Sequence, residues 1–420
     1  MPVGHTLTAV EHQTLHVGEK LPHDAYEAFK GRVDDLRRTA AGALELVHGG
    51  IRTGSFCGVL TAGKWSLEIL PKIDSGQDPL KNRGLLLRML GTCFDLPIWV
   101  DRTAGTDLGA GLLPVLIRAF LRAVSEQSRM GLLSRYEARS DVQPFLRGQL
   151  DVREHMKRSA SGPTLIPCIF DDLTVDNAYN QALKYALKLS ADAATNPASL
   201  LRKAIHRLLS VFDDVDNVPM SSAQISALPV DRLTARYREA LRYAEWLVGA
   251  VHPDIRNGEE KGIAFLFDMN VLFERYVSKI LGVVLKHKYS EAGLQLRAQS
   301  GGHQLLAADP TSSTSGLWIR PDIQIVKSGV VQAVLDTKWK VFAGKGPSTD
   351  DAYQMLAYGY GLGCDNLELI YPSLEEEEHK LNGRNYRYCS KMHKHLDLRL
   401  CLFNLNDPTK SAEDILSRFV

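Results

Sequence analysis

Two aspartates and a lysine in the last third of the chain are the residue types that phosphodiester hydrolysis requires. Asp336 and Lys338 are two positions apart in an apolar run, so on a strand both side chains leave the same face. Asp322 precedes the neighbouring strand, on the far side of an expected turn at Lys327-Ser328-Gly329. A hairpin folds this segment back on itself, so the two carboxylates could converge on one cation.

Magnesium is the cation that suits these side chains. A hard Mg²⁺ ion prefers oxygen ligands and keeps several waters, and the carboxylates of Asp322 and Asp336 with a backbone carbonyl would satisfy it. Lys338 beside the metal could hold or deprotonate the attacking water and offset negative charge on the scissile phosphate. The alternative is a solvent-facing Asp–Lys pair on an ordinary hairpin, and the D-x-K spacing by itself favours that alternative.

The surrounding pattern predicts the elements that would position these residues. Asp268 is expected to cap a helix with an apolar stripe over 269–284. A polar loop is expected over 299–316, and after it strands, a helix and a further strand complete an α-β-β-α-β order. These predicted elements are strands 319–326 and 330–341, helix 349–360 and strand 366–371.

The whole chain is expected to be a multidomain α+β protein, because 420 residues exceed the ~250–300 that one core usually supports. Residues 1–103 are predicted to be β-rich, with a hairpin over 55–73 that turns at Ala62-Gly63-Lys64. Residues 104–255 are predicted to be mainly helical, and a polar boundary over 252–262 precedes the last domain, 256–420. The middle-domain predictions are helices 113–124, 180–189 and 232–251 and a short strand at 144–152.

Composition excludes several classes of protein. The 45% of hydrophobic residues suffices for a folded core, and the net charge of +1 gives no global attraction for a polyanion, so nucleic-acid contacts would come from local basic patches. The six cysteines include no CxxC motif, which argues against a disulfide framework or a zinc knuckle. No apolar run approaches the ~20 residues of a membrane span, and the start lacks signal-peptide character. A cytoplasmic protein without membrane contact is expected.

A phosphate-loop spacing occurs at residues 58–65, but its context favours a hairpin. The segment GVLTAGKW satisfies G-x-x-x-x-G-K, yet Trp65 stands where the loop needs the Mg²⁺-binding Ser or Thr. The residues that follow continue as a strand rather than a helix. We therefore expect a hairpin tip with an exposed Lys64, and no nucleotide bound by this chain.

Pro321-Asp322 followed by Asp336-x-Lys338 resembles the PD-(D/E)xK nuclease superfamily, whose core has the same α-β-β-α-β order. The resemblance implies a restriction-endonuclease-like core and a metal-site role for an acidic residue on the first helix, which Glu274 matches. Gln354 and Tyr358 resemble the QxxxY motif of the RecB-like branch, and their spacing puts them on one helix face. The alternative for that helix is a cap on the sheet with a buried tyrosine.

Five blocks in order resemble McrC, the nuclease subunit of McrBC modification-dependent restriction systems: GVLTAGKWSLEILPKI, PFLRGQLDV, LFERYV, RPD…LDTKWK and DAYQMLAYG. The resemblance implies Mg²⁺ held by Asp322 and Asp336, and a partner, a McrB-like AAA+ GTPase ring that binds GTP and recognises double-stranded DNA carrying modified cytosine. It also implies docking through the N-terminal region, where the hairpin tip could insert as a rigid protrusion. The implied catalytic residues are Glu274, Asp322, Asp336, Lys338 and Gln354, and the candidate docking residues are Gly63, Lys64 and Trp65.

The resulting hypothesis is a Mg²⁺-dependent DNA endonuclease subunit that works only within a GTP-driven complex and stimulates its partner's GTPase. One alternative is a non-catalytic adaptor that activates an AAA+ GTPase, but the complete set of Asp322, Asp336 and Lys338 argues against it. Another is a stand-alone RecB-like exonuclease, which would leave the β-rich N-terminal region and the helical middle unexplained.

Overall fold

A computed structural model of the chain shows a mixed α/β protein with several sheets, as the sequence predicts. The expected domain boundary at 252–262, and the one near residue 103, lie outside the described residues. The described residues are 5–73, 78–96, 111–158, 165–194, 199–250, 264–298, 302–306, 316–342, 346–374, 385–388 and 396–420.

The N-terminal region combines strands with two helices that the sequence analysis did not predict. Its helix α1 buries Ala25, Phe29, Val33 and Leu36, which recur every three or four residues among charged ones. The carboxylate of Asp78 caps α2. The elements are β1 His5–Val10, β2 Thr14–His16, α1 His23–Thr39, β3 Leu44–Val47, β4 Gly50–Thr53, β5 Phe56–Ala62, β6 Trp65–Leu70 and α2 Pro79–Cys93.

Strands β5 and β6 form the predicted hairpin. They pair antiparallel with Ala62 opposite Trp65, which leaves Gly63 and Lys64 as a two-residue turn. Gly63 has φ 54°, a left-handed conformation that glycine adopts without a steric penalty. The hairpin prediction is confirmed, and the strand that follows Lys64 is incompatible with a phosphate loop.

The middle region contains the predicted helices and an additional sheet. Strands β7 and β8 both pair with β9, and most side chains of β7 are exposed, so no apolar alternation marks it in the sequence. The predicted strand at 144–152 is wrong except for its two residues in β8. The elements are α3 Leu112–Arg129, β7 Arg135–Gln143, β8 Gln149–Leu150, α4 Val152–Arg158, β9 Ile166–Thr174, α5 Ala178–Ala193, α6 Leu200–Leu209, α7 Ser222–Ser226 and α8 Arg238–Ala250.

The C-terminal region begins with a strand that belongs to the N-terminal sheet. Strand β10 pairs antiparallel with β5, giving the order β1-β6-β5-β10, and runs directly into α9, which Asp268 caps as predicted. Part of the predicted loop at 299–316 instead forms β12, paired with β13. The elements are β10 Ala264–Asp268, α9 Met269–Lys288, β11 Leu294–Ala298, β12 His303–Leu306, β13 Leu317–Ile319, β14 Ile323–Lys327, β15 Val330–Thr337, α10 Thr349–Leu362, β16 Asn366–Ser373, β17 Asn385–Arg387, β18 Asp397–Asn404 and α11 Pro408–Leu416.

A mixed sheet of order β11-β14-β15-β16-β18-β17 forms the centre of the C-terminal region. Strands β14 and β15 are antiparallel, whereas β15, β16 and β18 are parallel. Alternate residues of β15 enter different cores: Leu335 joins the core that includes residues of α9, and Val334 joins the core with Met355 and Tyr358 of α10. By the same alternation Asp336 lies on the α10 side.

Two further findings concern the cysteines and the helices of the described residues. The cysteines among the described residues, all but Cys389, are free thiols. Among the described helices, none combines the length and the apolar character needed to cross a bilayer.

Candidate functional site

Asp322, the first aspartate of the candidate site, is hydrogen-bonded to the residue that follows the second aspartate, Asp336. Asp322 Oδ2 accepts hydrogen bonds from both the backbone N–H and the hydroxyl of Thr337, each at 2.8 Å. Thr337 lies between Asp336 and Lys338 in the chain. The hairpin of β14 and β15 therefore brings the start of one strand to the end of the other, as the turn between them requires.

Asp336 lies at the end of a strand, but its side chain is buried rather than open to solvent. Its side chain is 1% exposed, and burial together with the nearby charge of Asp322 raises its pKa to about 7. The ammonium of Lys338 forms an ion pair with Asp336 Oδ2 at 2.6 Å, and no other described group donates a hydrogen bond to this oxygen. A buried carboxylate oxygen with unused acceptor capacity is suited to bind a cation.

Lys338 is held by the helix on the same side of the sheet. Its ammonium donates to Gln354 Oε1 at 2.8 Å, and Gln354 Nε2 donates to the hydroxyl of Tyr358 at 2.7 Å. The Tyr358 hydroxyl in turn donates to the backbone carbonyl of Arg320 at 3.0 Å, two residues before Asp322. The two helix positions four apart thus form one hydrogen-bonded chain that ties Lys338 to the segment carrying Asp322.

Asp351 is a further carboxylate at this site, and the sequence analysis did not single it out. It forms an ion pair with Lys340, and its Oδ1 lies 3.9 Å from the Lys338 ammonium. Burial acts to raise the pKa of Asp351, but hydrogen bonds from Lys340 and Ser348 outweigh it and lower that pKa below its ordinary value. Two features of the sequence could have indicated Asp351. Lys340 lies two positions after Lys338, and Asp351 lies one helical turn before Gln354.

Glu274 reaches the same neighbourhood from α9. Burial raises the pKa of Tyr358 most strongly, and the charges of Asp336, Asp322 and Glu274 raise it further. The three carboxylates therefore all act on one buried hydroxyl. Of the five residues that the sequence nominated as catalytic, Asp322, Asp336, Lys338 and Gln354 are joined by the hydrogen bonds and the ion pair described above, whereas Glu274 is linked to them through its charge effect on Tyr358.

The donor set fits a hard divalent ion that keeps part of its water shell. Within the described part of the chain, no three His, Cys, Asp or Glu side chains already converge closely enough to hold a metal by themselves. Asp322 and Asp336 provide the paired carboxylates, and Asp336 Oδ2, which has only the Lys338 ammonium as a close polar neighbour among the described residues, keeps a lone pair for a cation. An ion with two protein carboxylates and several waters matches the coordination that Mg²⁺ prefers.

The hairpin tip carries the exposed lysine that the sequence predicted, and Trp65 beside it is buried. The Lys64 ammonium lies 2.7 Å from Asp24 Oδ2 of α1, and its side chain is about half exposed. Trp65 is only 7% exposed, and its ring lies 4.8 Å from the His5 ring. Trp65, a candidate docking residue, therefore packs into the N-terminal core rather than projecting from the tip. Docking through Gly63 and Lys64 stays a prediction.

Comparison with known proteins addresses the family of the chain. The family described as "McrBC 5-methylcytosine restriction system component" matches residues 51–372, which is more than half of the chain. The chain belongs to this family. As a member of the McrBC family it is a component of a restriction system, which supports a nuclease role in general. No curated protein matches the chain.

Solved structures from McrBC complexes share the fold. A refined half-complex from a tetradecameric assembly of Thermococcus gammatolerans McrB AAA+ hexamers with bound McrC contains a chain with 18% identity and a TM-score of 0.68, and the match covers 99% of this chain and 100% of that chain. The cryo-EM structure of the Thermococcus gammatolerans McrBC complex matches with 19% identity and a TM-score of 0.51, covering 67% of this chain and 88% of that chain. At 18% and 19% identity, the similarity to these McrBC structures shows a shared fold and nothing more.

Proposed function

We propose that this McrBC-family chain is the Mg²⁺-dependent DNA endonuclease subunit of a modified-cytosine restriction complex, with a PD-(D/E)xK core. The observation that carries the proposal is the buried carboxylate of Asp336 beside Asp322, paired with a Lys338 that is itself held by Gln354. An ordinary surface Asp–Lys pair would not place a carboxylate in a site where burial raises its pKa.

Each side chain has a separate task in this proposal. Asp322 and Asp336 would hold Mg²⁺ with Glu274 nearby, and the bound ion would polarise the phosphate and acidify a water. The Lys338 ammonium, oriented by Asp336 and Gln354, would donate a hydrogen bond to a phosphate oxygen where negative charge develops. Gln354 keeps Lys338 directed into the site.

The partner of the proposed complex is an AAA+ GTPase like the McrB hexamers of the similar structures. We expect cleavage of DNA containing 5-methylcytosine only when the chain, this partner, GTP and Mg²⁺ are all present. Cleavage is measured on a circular substrate, which has no ends for an exonuclease. GTPase stimulation without any cleavage would favour the adaptor, whereas digestion of linear DNA by the chain alone would favour the exonuclease.

Lys338→Ala tests the division of roles within the site. The single-turnover cleavage rate should fall by about 10²–10³-fold, the usual effect of removing one donor to developing negative charge. Mg²⁺ binding, measured by calorimetry, should persist because the carboxylates remain. Lys340→Ala is the matched control, since Lys340 pairs with Asp351 rather than Asp336, and it should have a smaller effect. Loss of Mg²⁺ binding in Lys338→Ala would contradict the assignment.

Exposed apolar side chains concentrate on and around the sheet of β7, β8 and β9. Tyr136 is 72% exposed and Phe145 63%, and Leu146 and Met156 of the same segment are exposed as well. Clustered exposed apolar side chains mark sites of protein–protein contact. We propose that this sheet contacts the AAA+ partner and stimulates its GTPase, and that the Lys64 tip is a separate second contact.

The double variant Tyr136→Ser, Phe145→Ser should reduce GTPase stimulation by about 10-fold or more, because exposed aromatics are the usual anchors of an interface. Lys64→Glu should reduce it less, since Lys64 is already paired with Asp24. GTP turnover is titrated against each variant, and binding of GTP to the isolated chain is measured alongside, with none expected. Full stimulation by the double variant would exclude the sheet, and nucleotide binding by the chain alone would refute the hairpin interpretation.

A further inference from the structure

Glu11 is a buried carboxylate that lies outside the candidate site and contacts it. It follows β1, is 2% exposed, and its N–H donates to the Leu70 carbonyl at 3.0 Å. Its carboxylate accepts hydrogen bonds from the Lys72 backbone N–H at 3.1 Å and from Trp339 Nε1 at 2.9–3.0 Å. Burying a carboxylate that is held by neutral donors is unfavourable, so its position calls for an explanation beyond packing.

Trp339 is the residue directly after Lys338. The Lys338 N–H donates to the Ile370 carbonyl at 2.9 Å, and the Lys340 N–H donates back to the Lys338 carbonyl at 2.9 Å. The backbone turns here, so the Trp339 indole packs on the α9 side, against the core that includes Phe273, whereas Lys338 and Lys340 on either side of it in the chain reach Gln354 and Asp351 of α10. A hydrogen bond that fixes the indole therefore also fixes the direction in which Lys338 leaves the chain.

The indole also contacts the helix that carries Glu274. The Trp339 ring lies 5.3 Å from the ring of Phe273, the residue before Glu274. That helix is tied to the N-terminal sheet a second time, because the Met269 N–H donates to the Ser55 carbonyl at 3.0 Å and β10 pairs with β5. The N-terminal sheet thus holds both the Lys338 and the Glu274 sides of the site.

We infer that Glu11 is a positioning residue of the nuclease site: through Trp339 it fixes Lys338 relative to Glu274 and makes cleavage depend on the N-terminal sheet. The inference rests on the proposed nuclease function. Glu11 touches neither DNA nor metal in this role. Its effect is expected on the rate of the chemical step and not on DNA affinity.

The test uses the full chain in complex with its AAA+ partner. Glu11→Ala and Trp339→Phe should each lower the single-turnover cleavage rate by about 10-fold, the lower end of what loss of a supporting residue costs a metal site. DNA affinity and GTPase stimulation should be unchanged. Glu11→Gln, which keeps the acceptor oxygen, should restore the rate, and Glu19→Ala, an exposed glutamate of the same region, should have no effect.

A spectroscopic measurement separates positioning from general destabilisation. The ¹H–¹⁵N resonance of the Trp339 indole, assigned by its absence in Trp339→Phe, should shift in Glu11→Ala and return toward its original place in Glu11→Gln. Wild-type cleavage by Glu11→Ala, or equal loss in Glu11→Ala and Glu11→Gln, overturns the inference alone. If Glu11→Ala does not fold, Trp339→Phe decides in the same way. A wild-type complex that fails to cleave overturns the proposed function together with the inference.

Discussion

Asp336→Ala and Asp336→Asn are expected to abolish DNA cleavage while GTPase stimulation of the partner persists. Asp336 supplies the buried carboxylate that lies beside Asp322 and pairs with Lys338, so its removal takes away one of the two proposed metal ligands. We expect a loss of at least about 10³-fold in the single-turnover rate, because the charge stabilisation by the bound ion is removed along with its position. The measurement is cleavage of circular methylated DNA with saturating partner, GTP and Mg²⁺.

The control for this variant is Asp350→Asn, which changes an exposed carboxylate on the adjacent helix and should cleave normally. Cleavage by Asp336→Asn at near the wild-type rate, with the variant folded, would remove the metal assignment.

The pH dependence of folding provides a second measurement on Asp336→Asn. The pKa of Asp336 is raised from 3.8 to about 7 in the folded chain, so between these values the folded state binds more protons than the unfolded state. The free energy of unfolding of the metal-free wild type should therefore contain a contribution that falls as pH rises from about 4 to about 7. This contribution should be missing in Asp336→Asn, and an identical pH profile in the two proteins would contradict the raised pKa.

Arg83→Ala should lower the free energy of unfolding by about 3–5 kcal/mol, the usual cost of leaving a buried charge without its partner. Glu68 is 1% exposed and Arg83 5%, and the Arg83 Nε donates to Glu68 Oε1 at 2.8 Å. The same oxygen accepts the Leu112 backbone N–H at 2.7 Å, so Glu68 links β6 with α2 and the start of α3.

Urea unfolding followed by circular dichroism measures this effect. Arg37→Ala is the control, since its ion pair with Asp34 is largely exposed and should contribute less than about 1 kcal/mol. Replacing both buried partners, as in Glu68→Gln with Arg83→Met, should recover much of the loss because no uncompensated charge remains. A cost below about 1 kcal/mol for Arg83→Ala alone would show that water reaches Glu68 when the arginine is removed.

The sequence was informative where the relevant geometry is local. Strand alternation and a turn at Lys327-Ser328-Gly329 sufficed to predict that Asp322 and Asp336 converge, since both belong to one hairpin. Helical spacing sufficed to place Gln354 with Tyr358 on one face. These predictions needed only the distance between neighbouring positions in one element.

Other features depend on contacts between distant segments and were not predictable in that way. Glu11 and Trp339 meet across most of the chain, and neither residue type at its position indicates a partner. Strand β10 is short and gives no sign that its neighbour is β5. Strand β7 exposes most of its side chains, so the apolar alternation that identifies a strand is absent.

Strand β10 also limits how this protein can be divided or recombined. Because it lies at the edge of the sheet built by residues near the N-terminus yet continues into α9, the first and last thirds of the chain form one interwoven unit. A fusion boundary placed after the middle helices would separate β10 from the other strands of that sheet. It would also expose Phe265, which is fully buried. The proposed nuclease portion is therefore not a module that could be exchanged between proteins without its N-terminal counterpart.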